Sequence, residues 1–194
     1  MIWDPDPEDL LEERVSELLE RMTREEKIGQ LCLVNGPGGH VPDWLRRDIA
    51  EGHVGAVLNE VDLGTVNELQ RVAVQESRLG IPLLIGRDVI HGFNTVYPIP
   101  VGQAATWNPD LIERGARLAA LEAAAAGVNW TFGPMIDIGR DPRWGRIAET
   151  LGEDPHLASV LAVAMVRGFQ EGALSEGHGI AACVKHFAGY GASE

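Results

Sequence analysis

Lysine is almost missing from this 194-residue chain: Lys27 and Lys185 are the only two, and arginine supplies nearly all the positive charge. Cysteine is equally sparse. Cys32 and Cys183 sit in apolar, strand-like runs, so no disulfide scaffold is expected and both are predicted to be inert core residues. No apolar run approaches the roughly 18 residues that a membrane helix requires. The start, MIWDPDP, lacks the basic and apolar regions of a secretory leader, which predicts a cytoplasmic product. Neither HExxH nor CxxC occurs, and His40, His53, His91, His156 and His178 have no ligand spacing, so no metal and no cofactor are expected. The glycine-rich run 36–39 lacks both the GxGxxG spacing and a GK[ST] ending, which removes a nucleotide-phosphate loop. A net charge of −13 excludes nucleic acid and anionic membrane as natural partners, because both would be repelled. A neutral substrate is compatible with it.

What the chain does have is regular alternation. Residues 8–22 carry leucines, a valine and a methionine on one helical stripe, and Thr23 with Glu26 forms a capping-box signal for a second helix. Apolar strand candidates follow at 28–34, 54–58, 82–86, 130–136 and 180–184. They are separated by helical stretches at 63–78, 108–126 and 155–170 and by a loop at 94–103. Continuous apolar strands between helices predict an α/β fold with a parallel sheet covered on both faces, in about five βα units.

Two architectures fit, an open doubly wound sheet and a (β/α)8 barrel. Asp88, Asp137 and Lys185 each lie just past the C-terminal end of a predicted strand. Barrels collect their chemistry at that face from several strands at once, so a partial (β/α)8 barrel is favoured.

Three segments concentrate unusual chemistry: GRDVIHG at 86–92, the loop 137–155 containing DPRWGRIAETLGEDP, and KHFAGYG at 185–191. Each has a plain and a sharp reading. Asp88 is either a turn or helix cap, or a carboxylate accepting from two polyol hydroxyls, with His91 bracing it. Arg143 and Arg146 either hold their loop through Asp137, Asp141, Glu149 or Asp154, or also face a ligand, and spacing does not say which arginine does so. Trp144 either anchors the loop or stacks on a sugar. Lys185 is either a fixed cation beside a carboxylate or a Schiff-base amine; the small residues Ala188, Gly189 and Gly191 and the neighbouring His186 favour the former.

In chain order, these three motifs resemble the N-terminal barrel of glycoside hydrolase family 3, the β-glucosidase-like enzymes. Supporting stretches are MTREEKIGQ at 22–30, TVYPIP at 95–100 and TFGPMID at 131–137. The resemblance implies that Asp88, Arg146, Lys185 and His186 grip hydroxyls of the non-reducing-end sugar in subsite −1. It implies retaining hydrolysis of a small β-glucoside or oligosaccharide by an aspartate nucleophile and a separate acid/base. Ala188 and Tyr190 stand where the N-acetylhexosaminidase branch carries proline and histidine, which points to glucosidases and xylosidases.

The resemblance also places the nucleophile after a later barrel strand and the acid/base usually in a second domain, both beyond Glu194. No catalytic residue is therefore assigned within 1–194. A complete barrel needs about 250 residues, so the expectation is an incomplete domain, inactive alone. Its open sheet edge at 180–184 would associate with the missing part or with itself. A non-catalytic sugar-binding protein and a Schiff-base lyase using Lys185 remain the alternatives.

Overall fold

The computed structural model describes residues 7–170, 178–187 and 189–192. Helix α1 (Pro7–Arg21) precedes the sheet, and its Leu11, Val15 and Leu19 remain about half exposed. Helix α2 (Arg24–Gly29) starts with the expected capping box: Thr23 accepts from Glu26 N–H, and the Glu26 carboxylate accepts from Thr23 N–H. The elements then alternate: β1 (Leu33–Asn35), α3 (Asp43–Ala50), β2 (Ala56–Leu58), α4 (Leu63–Arg71) and a π-helical turn (Val72–Glu76). Next come β3 (Leu84–Arg87), α5 (Pro100–Ala104), α6 (Pro109–Ala125) and β4 (Trp130–Thr131). A 3-10 turn (Ile147–Glu149), α7 (Pro155–Gln170) and β5 (Ala181–Ala182) complete the described elements.

All five strands are parallel, and their spatial order is their chain order. A doubly wound sheet reverses direction at a switch point. This sheet never does. Each βα unit advances the same way, as in a barrel, so the α/β fold is a partial (β/α)8 barrel of five strands.

The pleat assigns the faces. Val57 and Ile85 are paired in register and fully buried, packing with Leu45 and Ile49 of α3 and Val66 and Leu69 of α4. Leu33 and Leu84 lie one residue earlier in their strands and are 42% and 46% exposed, so the opposite face is open. A second core joins α6 to α7 through Ala116, Ala119, Ala120, Ala123, Leu161 and Phe169. Small residues let these two helices approach closely. A Cβ on Gly168 would lie 2.2 Å from the Glu113 carbonyl oxygen, so the helix crossing requires glycine there.

Three expectations need correction. Helix α5 occupies part of the segment 94–103 expected to be loop, with Pro100 at its first turn as the available signal, and α3 fills a stretch to which no element was assigned. Strand 130–136 shrinks to Trp130–Thr131 because Pro134 has no N–H to give the ladder, and pairing resumes as a bridge between Met135 and Lys185. Cys32 and Cys183 are free thiols but only partly buried, so they are not core residues.

The sheet edge is also less open than expected. Ala181, Cys183 and Lys185 donate to Asn129, Gly133 and Pro134 on the β4 side. By alternation Ala182 N–H faces outward, and there the Gln170 side chain accepts it at 3.0 Å.

Candidate functional site

Asp88 follows directly on β3, and its position is fixed from behind. Buried Thr131 of β4 accepts the Val89 N–H at 3.1 Å, tying the first turn of the loop to the neighbouring strand. Asn129 bridges the same strands, accepting from Ile85 N–H at 2.7 Å and donating to the Leu83 carbonyl. Further along, Glu122 of α6 accepts from Asn94 N–H, Thr95 N–H and the Thr95 hydroxyl, which pins the loop to its helix. These bonds, those to Thr95 foremost, hold the Glu122 carboxyl below its usual range.

Lys185 reaches Asp88 from β5, 97 residues away in the chain: Nζ donates to Oδ1 at 2.9 Å. The lysine side chain is only 16% exposed, whereas the Asp88 side chain is 54% exposed. Asp88 Oδ2 has no protein partner among the described residues.

Beside this pair, His186 Nδ1 lies 2.7 Å from Oδ2 of buried Asp137, which also accepts the His186 backbone N–H at 3.2 Å. Arg146 approaches the other ring nitrogen, with Nη1 at 3.5 Å from Nε2 and 3.4 Å from the Tyr190 hydroxyl. Its remaining donors clamp Glu149 in a bidentate pair at 2.6 and 2.6 Å. The clamp pushes the Arg146 guanidinium up and the Glu149 carboxyl down; Lys185 and His186 add smaller attractions on Glu149. Tyr190 sits edge-on between His186 and Trp144, with ring centroids 4.8 and 5.3 Å away.

The three motifs therefore converge, and Asp88, Arg146, Lys185 and His186 share one surface at the strand tips. Of the two arginines, Arg146 joins the cluster, whereas Arg143, with its side chain 88% exposed, pairs with Asp141. Trp144 anchors its loop against Tyr190 and Gly191. His91 does not brace Asp88; its Nδ1 lies 3.2 Å from the Tyr97 carbonyl. Asp137 and Glu149 matter more than sequence reasoning allowed. Asp137 was placed at a strand tip by the sequence, but its pairing with His186 was not foreseen. Tyr190 was noticed only as a subfamily marker, and Ala188 lies outside the described residues.

Three carboxylates (Asp88, Asp137, Glu149) face two cations (Lys185, Arg146), and each cation is already paired. Such a surface has little net field for an ionic ligand. It offers closely spaced donors and acceptors instead, the chemistry that suits a neutral polyol. Among the described residues one group could approach a metal, Asp48, Glu51 and His53 at the end of α3. That end of the sheet is opposite the strand tips, and His53 already lies 3.5 Å from Glu51.

A barrel segment that gathers carboxylates, a lysine, a histidine and an arginine at its strand tips has its chemistry where (β/α)8 enzymes hold theirs. The glycosyl hydrolase family 3 N terminal domain matches residues 23–194, and the chain belongs to that family. It is 42% identical over 180 residues to a periplasmic β-glucosidase of Salmonella typhimurium, covering 93% of this chain and 24% of the relative. A β-glucosidase of Listeria innocua solved with glucose superposes with a TM-score of 0.83 at 39% identity, covering 94% of this chain and 27% of that one. A mutant of the Listeria protein solved with laminaribiose gives the same TM-score of 0.83 at 41% identity, with the same coverage of 94% and 27%. The chain thus spans about a quarter of the length of these relatives.

The expectation of a cytoplasmic product is overturned. The Salmonella relative is named periplasmic, and so is a β-glucosidase/β-xylosidase of Dickeya chrysanthemi that is 29% identical over 94% of this chain and 32% of its own length. Leaders are removed from exported proteins, so the first residues carried no information against export. No helix among the described residues is long and apolar enough to cross a membrane.

Proposed function

We propose that this chain supplies the non-reducing-end sugar site of a periplasmic β-glucosidase acting by the retaining route. Asp88, Lys185, Arg146 and His186 bind hydroxyls of a β-glucosyl unit in subsite −1. The observation that carries this is the Lys185–Asp88 pair at 2.9 Å, set between strand tips and flanked by the Asp137–His186 and Arg146–Glu149 pairs. Bonds of this kind accelerate hydrolysis only as far as they tighten when the ring flattens toward its oxocarbenium-like state.

The nucleophile and the acid/base lie outside residues 1–194, in the remainder of a longer or complementing polypeptide. A groove of about 400 Å³ is the seat for its next βα unit; Ile136, Ile138, Ala162, Val163, Val166 and Val184 line it. Lys185 acts as a fixed cation. Its Nζ is engaged by Asp88, whereas a Schiff-base lysine must present a free amine to a carbonyl.

The test is a glucose titration of the 194-residue chain by NMR, alongside an aryl β-glucoside assay. Saturable shifts at the strand-tip residues, lost in Asp88→Ala, with no turnover, support the reading. Turnover by this chain alone would show that the bond-breaking carboxylates are inside it. A folded chain indifferent to glucose would remove the sugar site.

A further inference from the structure

We infer that Asp137 is a positioning residue that fixes the tautomer of His186, so that the ring presents a hydrogen-bond acceptor, not a donor, to the sugar. Asp137 is buried, its side chain 3% exposed, and an ionised carboxylate can only accept. Its Oδ2 takes the His186 backbone N–H at 3.2 Å and stands 2.7 Å from Nδ1, so Nδ1 carries the ring proton.

The opposite side of the ring agrees independently. Arg146 Nη1 faces Nε2 at 3.5 Å, and a guanidinium has only donors, so a bare Nε2 suits this contact and an N–H there would oppose it. Glu149 in turn keeps the guanidinium in place through two bonds of 2.6 Å. The polarity therefore runs one way along the chain of groups: Asp137 accepts from His186, and His186 accepts from Arg146, which also donates to Glu149. At 3.5 Å the Arg146 contact is long, which leaves the Nε2 lone pair able to accept a closer hydroxyl from a ligand. His186 side-chain exposure of 31% gives that ligand access.

The consequence for substrate is a requirement for a free hydroxyl at the position facing His186. A methyl ether there can accept but not donate, so it meets acceptor against acceptor. The ligand assignment rests on the proposed glucoside reading. The tautomer does not.

Long-range 1H–15N correlation of the histidine rings at pH 8, on the whole chain and without sugar, reads the tautomer directly. The His186 signals are identified by their loss in His186→Gln. Protonated Nδ1 and bare Nε2 are expected. Asp137→Ala removes the oxygen that accepts the Nδ1 proton, and the ring is expected to lose its fixed Nδ1–H form and populate Nε2–H, which opposes Arg146. Glucose affinity is then expected to fall on the order of tenfold, the scale found for partners that orient ligating histidines. Arg146→Ala guards against a misfolded Asp137 variant, since it should keep the Nδ1–H form.

A wild-type Nε2–H or an averaged ring overturns the inference. So does an Arg146→Ala variant that switches tautomer, because the arginine would then be in control. An Asp137→Ala chain that keeps a fixed Nδ1–H, or that loses it with unchanged glucose affinity, overturns the positioning role. Failure of the wild type to bind glucose would count against the proposed function, while the wild-type and Arg146→Ala spectra would still decide the tautomer.

Discussion

Replacing Glu26 by glutamine separates one charge from the rest of a very acidic protein. Glu26 ends the capping box of α2 and also receives Arg78 Nε at 3.0 Å and Nη2 at 2.5 Å, joining the N-terminal helices to the segment before β3. Chiefly the Arg78 bonds, then the Thr23 N–H, lower its pKa from the ordinary 4.5 to about 2. At about 1.4 kcal/mol per unit, this sets a ceiling of roughly 3–4 kcal/mol. The Arg78 side chain is 54% exposed, and solvent screening there reduces the expected contribution to about 1–2 kcal/mol. Glutamine keeps an oxygen for the Thr23 N–H, so the difference reports the charge.

The folded-state pKa is depressed, so the stabilisation is complete above 4.5 and is lost as pH falls toward 2. Urea denaturation followed by circular dichroism should find Glu26→Gln less stable by about 1–2 kcal/mol at pH 7. At pH 2.5 the gap should shrink to about a quarter of that. Taking wild type minus variant cancels the other titrating carboxylates. A gap that is the same at both pH values would refute the electrostatic account and leave only packing.

Other perturbations address the site. Lys185→Met should abolish glucose binding while changing stability by less than about 1 kcal/mol, because its partner Asp88 is left half exposed and hydrated; calorimetric titration and a thermal melt check both halves. Glu149→Gln should loosen Arg146 and weaken glucose binding, and because Arg146 depresses the Glu149 carboxyl, a carboxyl 13C titration of the wild type should find Glu149 still ionised below the usual carboxylate range. Gly191→Ala places a Cβ 2.8 Å from the Trp144 ring at a φ of +87°, and should cost about 1–3 kcal/mol with a shift in tryptophan emission.

The barrel was legible because its signals are local and repeated. Each apolar run ends in a polar residue, and the capping box of α2 and the Asn108 cap of α6 appear where sequence puts them. Pro134 shows the limit. The run 130–136 is apolar throughout, yet one residue without an N–H breaks its ladder, and composition alone cannot weigh that loss. Cys32 and Cys183 were misjudged because a residue in an apolar strand is buried only when something covers that face.

Within the site, Lys185 stood out by the scarcity of lysine, and its strand-tip position predicted the meeting with Asp88. The pairing of the arginines was not legible. Asp141 lies two residues before Arg143, and Glu149 three residues after Arg146, so short-range spacing allows several pairings. The turn at Ile147–Glu149 decides, because it swings Glu149 back onto Arg146.

Under the proposed function, that internal pairing makes sugar binding separable from bond breaking. Lys185 has Asp88, Arg146 has Glu149 and His186 has Asp137, all within one continuous stretch of 194 residues. Among the described residues no buried side-chain nitrogen or oxygen lacks a partner. A cluster with its charges already compensated does not depend on further carboxylates for its geometry, since removing them leaves no orphaned cation to collapse. The free Asp88 oxygen and the His186 lone pair are then available to a hydroxyl before any nucleophile arrives. Glucose should therefore bind this chain with Asp88, Lys185 and His186 shifting together in NMR spectra. If they shift one by one at different concentrations, the groups do not act as one site.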